Sequence, residues 1–406
     1  MDALTTPSNW QRVRLGDIAE IIGGGTPSTQ VTSFWNGSIN WFTPTEIGIT
    51  KYVYKSQRTI TPLGLKKSST KLLPIGTILL TSRASIGDCA ILKVVATTNQ
   101  GFQSLIPLEK INNEFLYYLM LTLKNKLLKL ASGSTFLEVS PNKIKNLLIP
   151  LPPLNEQIAI ANILSDVDRY LYSLDALILK KESVKKALSF ELLSQRKRLK
   201  GFNQAWQRVR LGDIGITISG LVGKTKQDFI NGNAKYITFL NVLNNVIIDT
   251  SILENVKIYP NEKQNSFKKY DLFFNTSSET PKEVGMCAVL LDDIDQVFLN
   301  SFCFGFRIFD KAVDGLFLSY LINSEIGRKA FENLAQGSTR YNLSKSGFNN
   351  VCLFLPPLNE QIAIANILSG LDHEIISLKN KKRQFENIKK ALNHDLMSAK
   401  IRVLKK

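Results

Sequence analysis

Two stretches of the chain place apolar residues at alternating intervals of four and three, the spacing that predicts one apolar face on a long helix. Each stretch follows a Leu-Pro-Pro-Leu sequence, at 151–154 and at 355–358. Prolines suit a helix entry because the first-turn N–H groups have no intrahelical partner, and Asn155 and Asn359 are candidate caps. Eight of ten positions on each face are apolar, which is typical of a coiled-coil seam. The apolar seam positions are Ile160, Leu164, Val167, Leu171, Leu174, Ile178, Leu188, Leu192, Ile364, Leu368, Leu371, Ile375, Leu378, Phe385, Leu392 and Leu396.

The first helix is expected to end at Gly201, about 45 residues after it begins, which gives roughly 65 Å at 1.5 Å per residue. Two helices with matching seams in one chain are expected to pair antiparallel, with the intervening domains at opposite ends. Lysine occupies the four remaining seam positions. These lysines either set the register of the pair or lay their stems along the edge of the interface, and the second interpretation is favoured.

The segments outside the helices alternate short apolar runs with Gly, Pro, Asn and Asp. Runs such as GTILLTS (76–82) and VIIDTSI (246–252) predict strands, and the apolar stretches at 114–131 and 316–335 predict one helix each. Each segment is therefore predicted to be an α+β module. The chain is thus divided into a globular domain at 1–150, a long helix at 151–200, a second globular domain at 201–354 and a second long helix at 355–406.

The chain is also an internal repeat. We call its repeated segments the frame: WQRVRLGDI at 10–18 and 206–214, Gly-Ser-Thr at 133–135 and 337–339, and LPPLNEQIAIANILS at 151–165 and 355–369. Between these segments the two copies diverge, since TSRASIGDCAI (81–91) matches NTSSETPKEVGMCAV (275–289) only loosely. Neutral drift would not leave fifteen identical letters beside unrecognisable neighbours. The pattern therefore indicates that the frame has the same role in both copies. The diverged segments between the frame segments, which we call the middles, are expected to contact different partners.

The amino-acid composition favours some functional classes of protein for this chain and disfavours others. A length of 406 residues, of which 44% are hydrophobic, predicts two or three folded domains. The net charge of +17 favours a polyanionic partner, although charge alone does not separate DNA from RNA or an acidic membrane surface. With no bilayer-length apolar run and no signal peptide, the chain is expected to be cytoplasmic and to have no membrane partner. Its four cysteines and two histidines are scattered, which predicts neither a metal site nor a disulfide.

The sequence lacks the common catalytic motifs. Gly223-Lys224-Thr225 resembles the end of a phosphate-binding loop, but Ile218 stands where the first glycine of that loop belongs. The sequence has no G-x-S-x-G turn, no H-E-x-x-H helix and no Asn-Pro-Pro-aromatic tetrapeptide of the amino-methyltransferases. Both histidines, His373 and His394, fall in the second long helix. The sequence therefore predicts no catalytic residues.

Leu-Pro-Pro-Leu-Asn-Glu-Gln-Ile occurs twice, each time after Gly-Ser-Thr and before a long helix, and this arrangement resembles the specificity subunit of Type I restriction-modification systems. Further marks of that family are GGTPS at 24–28, FWNG at 34–37, TSRASIG at 81–87 and NQG at 99–101. The likeness covers nearly the whole chain. The second middle lacks the Gly-Gly-Thr-Pro-Ser run and a clear Arg-x-x-Ile-Gly, so contact residues cannot be transferred onto it from those motifs.

The resemblance implies an α+β protein in which two target-recognition domains are joined by two long antiparallel coiled-coil helices, as a pseudo-two-fold internal repeat. Each domain would read one half-site of a gapped double-stranded DNA target. The helices would set the spacer and dock two methylation subunits, and restriction subunits would join outside. The chain itself would bind no cofactor, because S-adenosylmethionine, ATP and magnesium belong to the partner subunits.

Candidate DNA contacts are polar and basic residues in both middles. Exposed Lys and Arg mostly contact phosphates, whereas an arginine that specifies guanine must reach a base edge. The structural alternative is that the glycines only provide turns and that the arginine at 83 pairs with a carboxylate. An enzyme with an unrecognised motif, a protein-binding scaffold and a related methyltransferase-nuclease assembly also stay open at this point. The candidates are Thr26, Ser28, Lys51, Lys66, Lys67 and Arg83 in the first middle, and Lys224, Lys226, Arg340, Tyr341 and Asn342 in the second.

Overall fold

The computed structural model describes Pro7 and residues 9–133, 137–332, 334, 337 and 341–403. The chain divides into two compact units. Unit 1 comprises residues 1–175 together with 380–406, and unit 2 comprises residues 176–379. Each unit thus combines one diverged middle with parts of both long helices. We call residues 9–151 domain 1 and residues 207–355 domain 2.

The strands of unit 1 pair into three sheets, and its helices lie mostly in the second half of domain 1. The strands are β1 (Gln11–Arg14), β2 (Ala19–Gly23), β3 (Trp35–Phe42), β4 (Tyr52–Val53), β5 (Arg58–Ile60), β6 (Ile78–Leu80), β7 (Cys89–Leu92), β8 (Ala96–Thr98), β9 (Gln103–Pro107) and β10 (Leu148–Leu151). The helices are α1 (Pro62–Lys66), α2 (Asn113–Thr122), α3 (Lys124–Leu130), α4 (Pro141–Lys145) and the first part of α5 (Leu154–Leu193).

The sheets of domain 1 have the orders β2-β9-β6-β7-β4, β5-β3-β8 and β1-β10. We call β5-β3-β8 the small sheet of domain 1. The main core lies between the five-stranded sheet and α2, whose Phe115, Leu116 and Met120 are fully buried. The frame segment that opens the domain, β1, pairs antiparallel with β10, which leads directly into α5. The frame therefore closes the domain at the point where the long helix begins.

Unit 2 repeats this order, but the central strand of its three-stranded sheet has 4 residues where that of unit 1 has 8, and unit 2 has an additional two-stranded sheet. Its strands are β11 (Gln207–Arg210), β12 (Gly215–Ser219), β13 (Ala234–Ile237), β14 (Glu254–Val256), β15 (Leu272–Asn275), β16 (Ser277–Ser278), β17 (Cys287–Val289), β18 (Val297–Leu299), β19 (Cys303–Ile308), β20 (Tyr341–Asn342) and β21 (Cys352–Leu355). Its helices are α6 (Leu211–Ile214), α7 (Phe239–Asn244), α8 (Gly315–Asn323), α9 (Glu325–Glu332), α10 (Lys345–Asn349) and α11 (Leu358–Met397), of which the last part belongs to unit 1.

The sheets of domain 2 have the orders β12-β19-β15-β17, β14-β13-β18, β11-β21 and β16-β20. We call β14-β13-β18 the small sheet of domain 2. As in domain 1, its central strand pairs antiparallel with one neighbour and parallel with the other. The core of domain 2 is rich in phenylalanine, and the Phe348 ring lies 4.7 to 5.2 Å from the rings of Phe274, Phe304 and Phe306.

Three local predictions were wrong. Each apolar stretch predicted as one helix forms two, because Leu123 closes α2 with a bond to Met120 O and the Ser324 hydroxyl caps α9 by accepting from Gly327 N. The run at 246–252 forms only an isolated bridge at Ile247 and a 3₁₀ turn. That turn is favoured because the Asp249 carboxylate accepts a hydrogen bond from the Ser251 backbone N–H.

The ends of the long helices also differ from the prediction. Asn155 and Asn359 lie inside the helices rather than capping them, since Pro153 O and Pro357 O already accept the first intrahelical bonds. Helix α5 has 40 residues and ends at Leu193 rather than at Gly201. The chain turns out of the helix at Gln195, which has a φ of 61°. Helix α11 also has 40 residues, and Ala399, with a φ of 59°, marks its exit in the same way.

Helices α5 and α11 pair antiparallel within each unit. In unit 1 Asp168 contacts Lys389 and Asp175 contacts Lys382, so the residue numbers rise on one helix as they fall on the other. In unit 2 Lys181 pairs with Glu374 and Lys185 with Asp372. All sixteen apolar seam positions are buried or half-buried. The four seam lysines are half-buried and reach a carboxylate on the opposite helix, so they contribute to register; half-exposed pairs add only about 0.2–1 kcal/mol each.

Candidate nucleic-acid interface

The frame contains four buried polar side chains that attach each domain to the helices. The Gln157 amide accepts a hydrogen bond from Asn112 N at 2.8 Å and donates to Pro152 O and Lys110 O. Gln361 makes the equivalent bonds to Asp314 N, Pro356 O and Ala312 O. Each glutamine therefore fixes the loop that begins the main helix of its domain, α2 or α8.

The glutamates beside them bind arginines that follow the opposite helix. Glu156 is 2% exposed and pairs with Arg402, and it also accepts a hydrogen bond from Trp10 Nε1 at 3.1 Å. Glu360 is fully buried and pairs with Arg198 at 2.6 Å. Removing the arginine of such a pair costs about 3–5 kcal/mol, because the glutamate carboxylate stays buried without its partner. The frame therefore holds each domain at a fixed position on the helix pair of its own unit.

A second repeated contact joins a tyrosine of each domain to the helix pair. Tyr118 OH donates to Asp168, and Tyr320 OH donates to Asp372 at 2.6 Å. Each aspartate also pairs with a seam lysine of the opposite helix. Burial and these carboxylates raise the pKa of both phenols above the ordinary value, so the tyrosines stay protonated donors.

In domain 1 the glycine-rich segment packs against the Asn-Gln-Gly segment. A Cβ on Gly24 would lie 1.9 Å from Asn99 O, and one on Gly25 would lie 2.3 Å from Ser69 Oγ, so no other residue fits at either position. The Thr26 hydroxyl bonds to the Gln100 side chain. These contacts present the exposed polar groups of Thr26 and Ser28 beside Gln100 on one surface.

Two tryptophans anchor that surface from beneath. Trp41 Nε1 donates to Gly25 O at 2.9 Å, and Trp35 Nε1 donates to Ser28 O at 3.0 Å. The two indoles meet edge to face, with centroids 5.0 Å apart. The guanidinium of Arg58 lies over the face of Trp35, 3.7 Å from the ring centroid. The same two indoles therefore hold both the polar loop that contains Gly25 and Ser28 and the guanidinium of Arg58.

Equivalent backbone hydrogen bonds align the two diverged domains, although their sequences do not. In each domain a backbone N–H just after the second strand donates to the last carbonyl of the parallel strand of the small sheet. The residue that follows this parallel strand donates its own N–H to the last carbonyl of the central strand. The matching pairs are Gly25 N to Thr98 O with Leu221 N to Leu299 O, Asn99 N to Phe42 O with Asn300 N to Ile237 O, and Ser82 N to Gly101 O with Thr276 N to Phe302 O. Strand register then places Arg58 of domain 1 opposite Trp41, and Glu254 of domain 2 opposite Tyr236.

The charge around the matched loops and small sheets differs between the domains. Residues 25–81 contain six Lys or Arg and a single acidic residue, Glu46. The Glu46 carboxylate accepts hydrogen bonds from the backbone N–H groups of Thr43 and Gln57. The matching residues 221–275 contain seven Lys but five Asp or Glu. Domain 1 therefore presents the more cationic surface to a polyanion.

The structure separates the candidate contacts of domain 1 into three kinds. Lys66 and Lys67 are exposed at the end of α1. Arg83 pairs with Glu138 at 2.8 Å and its side chain is 42% exposed. The Lys51 side chain is only 12% exposed and lies among Glu114, Tyr118 and Ser165, and its burial lowers the pKa of the ammonium. Lys51 therefore stabilises the interior of unit 1.

Domain 2 shows the same separation. Lys226 is exposed, whereas the Lys224 side chain is 5% exposed and bonds to Glu262 and to Lys257 O. The Lys224 ammonium lowers the pKa of the Glu262 carboxyl to about 2, with help from Gln264 and the backbone N–H of Tyr259. Tyr341 and Asn342 form strand β20, which pairs with Ser277 and Ser278. Arg340 and the Ser-Thr residues of both Gly-Ser-Thr segments lie outside the described residues.

The sequence analysis missed Arg58 with its two tryptophans, and it missed the buried Glu and Gln of the frame. The available signal for Arg58 was a basic stretch with no acidic residue, 47–87. The signal for the frame was a Glu-Gln pair kept identical in both copies of a mostly apolar motif. A charged residue retained in both copies of such a motif indicates a buried polar contact.

Three further features bear on chemistry. Burial raises the pKa of the Cys89 thiol to about 12, which keeps it a neutral core side chain. Within the part of the chain that the structure describes, no group of three or more His, Cys, Asp or Glu could hold a metal ion. The described residues likewise contain no helix that is long and apolar enough to cross a bilayer.

Comparison with known proteins gives matches over both copies of the repeat. The family model of the Type I restriction modification DNA specificity domain matches residues 7–181 and 203–387. The chain is 31% identical over 298 residues to the Type I restriction enzyme MjaIX specificity subunit of Methanocaldococcus jannaschii, covering 68% of each protein. It is 28% identical over 427 residues to the MjaVIII specificity subunit of the same organism, covering 99% of this chain and 95% of that one.

Solved structures show the same fold. The Type I restriction-modification S subunit from M. genitalium matches with a TM-score of 0.60 at 17% identity, covering 97% of each chain. The HsdS subunit from Thermoanaerobacter tengcongensis matches with a TM-score of 0.54 at 18% identity, covering 99% of this chain and 100% of that one. Since the family model covers both repeats, the chain belongs to the Type I restriction-modification DNA specificity family and is a specificity subunit, the non-catalytic part that recognises DNA.

Proposed function

We propose that this chain directs a Type I methyltransferase and restriction complex to a two-part, gapped DNA target, with each domain reading one half-site. The observation that carries the proposal is that both domains share one backbone hydrogen-bond pattern and one attachment to the helix pair, yet expose different chemistry at matched positions. Two domains that attach to the helices in the same way but expose different side chains are suited to bind two different DNA sequences. The helices between them set the length of the unread spacer.

The exposure of each candidate side chain decides whether it stays in the proposed set of DNA-contact residues. Thr26, Ser28, Lys66 and Lys67 in domain 1 and Lys226 in domain 2 are exposed and able to reach DNA. Arg83, Arg340, Tyr341 and Asn342 remain in the proposed set. Lys51 and Lys224 are excluded from the set of DNA-contact residues, because each would have to break a nearly buried ion pair to reach a phosphate.

Docking of two methylation subunits is the second part of the proposal. The frame is identical in both copies even where its side chains do not pack. Ile158 is 42% exposed and its repeat equivalent Ile362 is 40% exposed, and Asn162 and Asn366 are exposed next to them. Identity at exposed positions has no packing explanation, whereas binding the same partner twice accounts for it. Restriction subunits would join that assembly.

The chemistry belongs to the partners in this proposal. S-adenosylmethionine would bind to the methylation subunits, and ATP and magnesium would serve the restriction subunits. The chain itself would bind double-stranded DNA in the cytoplasm and hold no cofactor.

The deciding experiment is single-molecule methylome sequencing of DNA from cells that express this chain with and without its methylation subunit. A two-part, gapped adenine-methylated motif that requires both proteins is expected. A complex that is purified intact but leaves no such motif would overturn the proposal. Steep loss of DNA affinity between roughly 50 and 200 mM salt is expected as well, and it separates DNA binding from a protein scaffold.

The docking surface has its own test. Ile158→Asp or Ile362→Asp alone is expected to leave a complex with one methylation subunit, and the double variant a complex with none, by native mass spectrometry. Leu179→Asp is the matched control, because Leu179 is 64% exposed on α5 outside the frame. An unchanged stoichiometry in the double variant would contradict docking at the frame.

The spacer can be tested separately. Inserting matched helical residues into both α5 and α11 should lengthen the unread spacer in the methylated motif and leave both half-sites unchanged. A motif with its original spacer would mean that the helices do not set the distance.

A further inference from the structure

We propose that Arg58 reads a guanine base in the half-site bound by domain 1, an inference that rests on the function proposed above and identifies one specificity-determining residue within it. The geometry that points to it is the contact of one exposed guanidinium with two buried indoles. Its Cζ atom lies 3.7 Å from the Trp35 centroid and 5.5 Å from the Trp41 centroid. Both rings are less than 10% exposed.

The indoles cannot shift to accommodate another orientation, because each donates its Nε1–H to the polar loop above it. Trp35 bonds to Ser28 O and Trp41 bonds to Gly25 O. The backbone of Arg58 is fixed too, since its carbonyl accepts a hydrogen bond from Ser56 Oγ at 2.6 Å. Stacking on a fixed ring orders the long side chain before DNA arrives, which removes much of the entropy cost of binding.

The donors of Arg58 are available to a ligand. No carboxylate of the described residues pairs with it, whereas Arg83 on the same domain is paired with Glu138. Stacking uses the face of the guanidinium and leaves its in-plane N–H groups able to form two parallel hydrogen bonds. The Hoogsteen edge of guanine, with O6 and N7, accepts such a pair in the major groove.

Domain 2 indicates that this position reads bases and does not clamp phosphate. The matched strand position there carries Glu254, which is exposed and accepts a hydrogen bond from Tyr236 OH at 2.8 Å. A carboxylate cannot replace a cation at a phosphate. A position that alternates between donor and acceptor chemistry on the same strand is suited to reading different base edges.

The test is methylome sequencing of cells that express the methylation subunit with the chain carrying Arg58→Ala or Arg58→Lys. One guanine of the half-site read by domain 1 should become degenerate in the Arg58→Ala variant. Arg58→Lys should lose part of the discrimination, since an ammonium can donate to O6 and N7 but lacks the planar fork of a guanidinium. The other half-site and the spacer should stay as they are. Binding of duplexes changed at that base should differ from the cognate duplex by roughly ten- to hundredfold in the native complex and by less than about threefold in the Arg58→Ala variant.

Two controls keep the outcomes separate. Lys66→Ala should weaken binding to all duplexes equally, and Glu254→Gln should leave the domain 1 half-site intact. If Arg58→Ala weakens cognate and altered duplexes by the same factor, or leaves the motif unchanged, the guanine-reading role is overturned while the proposed function stands. If the native complex yields no gapped motif at all, the proposed function itself fails. Thermal unfolding of the Arg58→Lys variant verifies that the small sheet stays folded.

Discussion

Domains 1 and 2 have the same hydrogen-bonded backbone pattern but differ in both core and surface. Phe348 on α10 of domain 2 contacts four other phenylalanine rings, whereas its equivalent on α4 of domain 1 is Ile144. At the small sheets, Arg58 over tryptophan in one domain is matched by Glu254 bonded to tyrosine in the other. The comparison shows that one backbone hydrogen-bond pattern and one frame accommodate two different cores and two different sets of surface side chains.

The largest expected effect is on the two cores. Phe348→Ala should lower the free energy of unfolding of unit 2 by about 4 kcal/mol, because it removes a fully buried ring from an aromatic cluster. Ile144→Ala should cost unit 1 about 3 kcal/mol. Hydrogen exchange under increasing urea, followed by mass spectrometry, measures both. Equal losses in the two units would show that the aromatic cluster gives domain 2 no additional stability.

The next effect concerns the buried glutamates. Glu156→Ala should cost about 1.5–3 kcal/mol, because it removes the carboxylate that accepts hydrogen bonds from Arg402 and from Trp10 Nε1. Glu360→Ala should cost about 1 kcal/mol less, since the indole of Trp206 makes no hydrogen bond in the described structure. Urea unfolding of both variants measures the difference. The control is Asp166→Ala, which removes an exposed pair with Arg169 and should cost less than about 0.5 kcal/mol.

A smaller effect follows from the different surface charges. The double variant Lys66→Ala and Lys67→Ala should reduce the slope of log affinity against log salt by about 2, and Lys226→Ala by about 1. Fluorescence anisotropy of the assembled complex on its cognate duplex provides the slopes. An unchanged slope for the double variant would mean that α1 does not contact phosphate.

The smallest effect is a single titration in domain 2. The Glu262 carboxyl, whose pKa is lowered to about 2, should titrate well below the ordinary value of 4.5. Its stabilising contribution is therefore present above about pH 4.5 and is lost as the pH falls through about 2. Lys224→Ala should move the titration upward, as measured by NMR of carboxyl-labelled glutamate. A midpoint that stays near 2 would show that Lys224 is not the main cause.

The family, the repeat and the antiparallel helix pairing could be predicted from the sequence, because heptads and identical motifs are visible as letters. The match between the domains could not, because it consists of backbone bonds such as those of Gly25 and Leu221, which different side chains form equally well. The exposure of single lysines could not be predicted either. Lys51 and Lys226 look alike in sequence, but only the folded chain brings Glu114 to the first and leaves the second exposed.

The C-terminal part of α11 has a consequence for the synthesis of the protein. Leu396 and Met397 are buried in the core of unit 1, and Arg402 neutralises its buried Glu156. Unit 1 is thus completed by residues translated about 240 positions after α5 begins, on the order of tens of seconds later at ribosomal rates. All of unit 2 emerges in that interval. A message cut short before these codons would yield a finished second domain and an unfinished first one, so incomplete chains would be unable to form a working pair of readers.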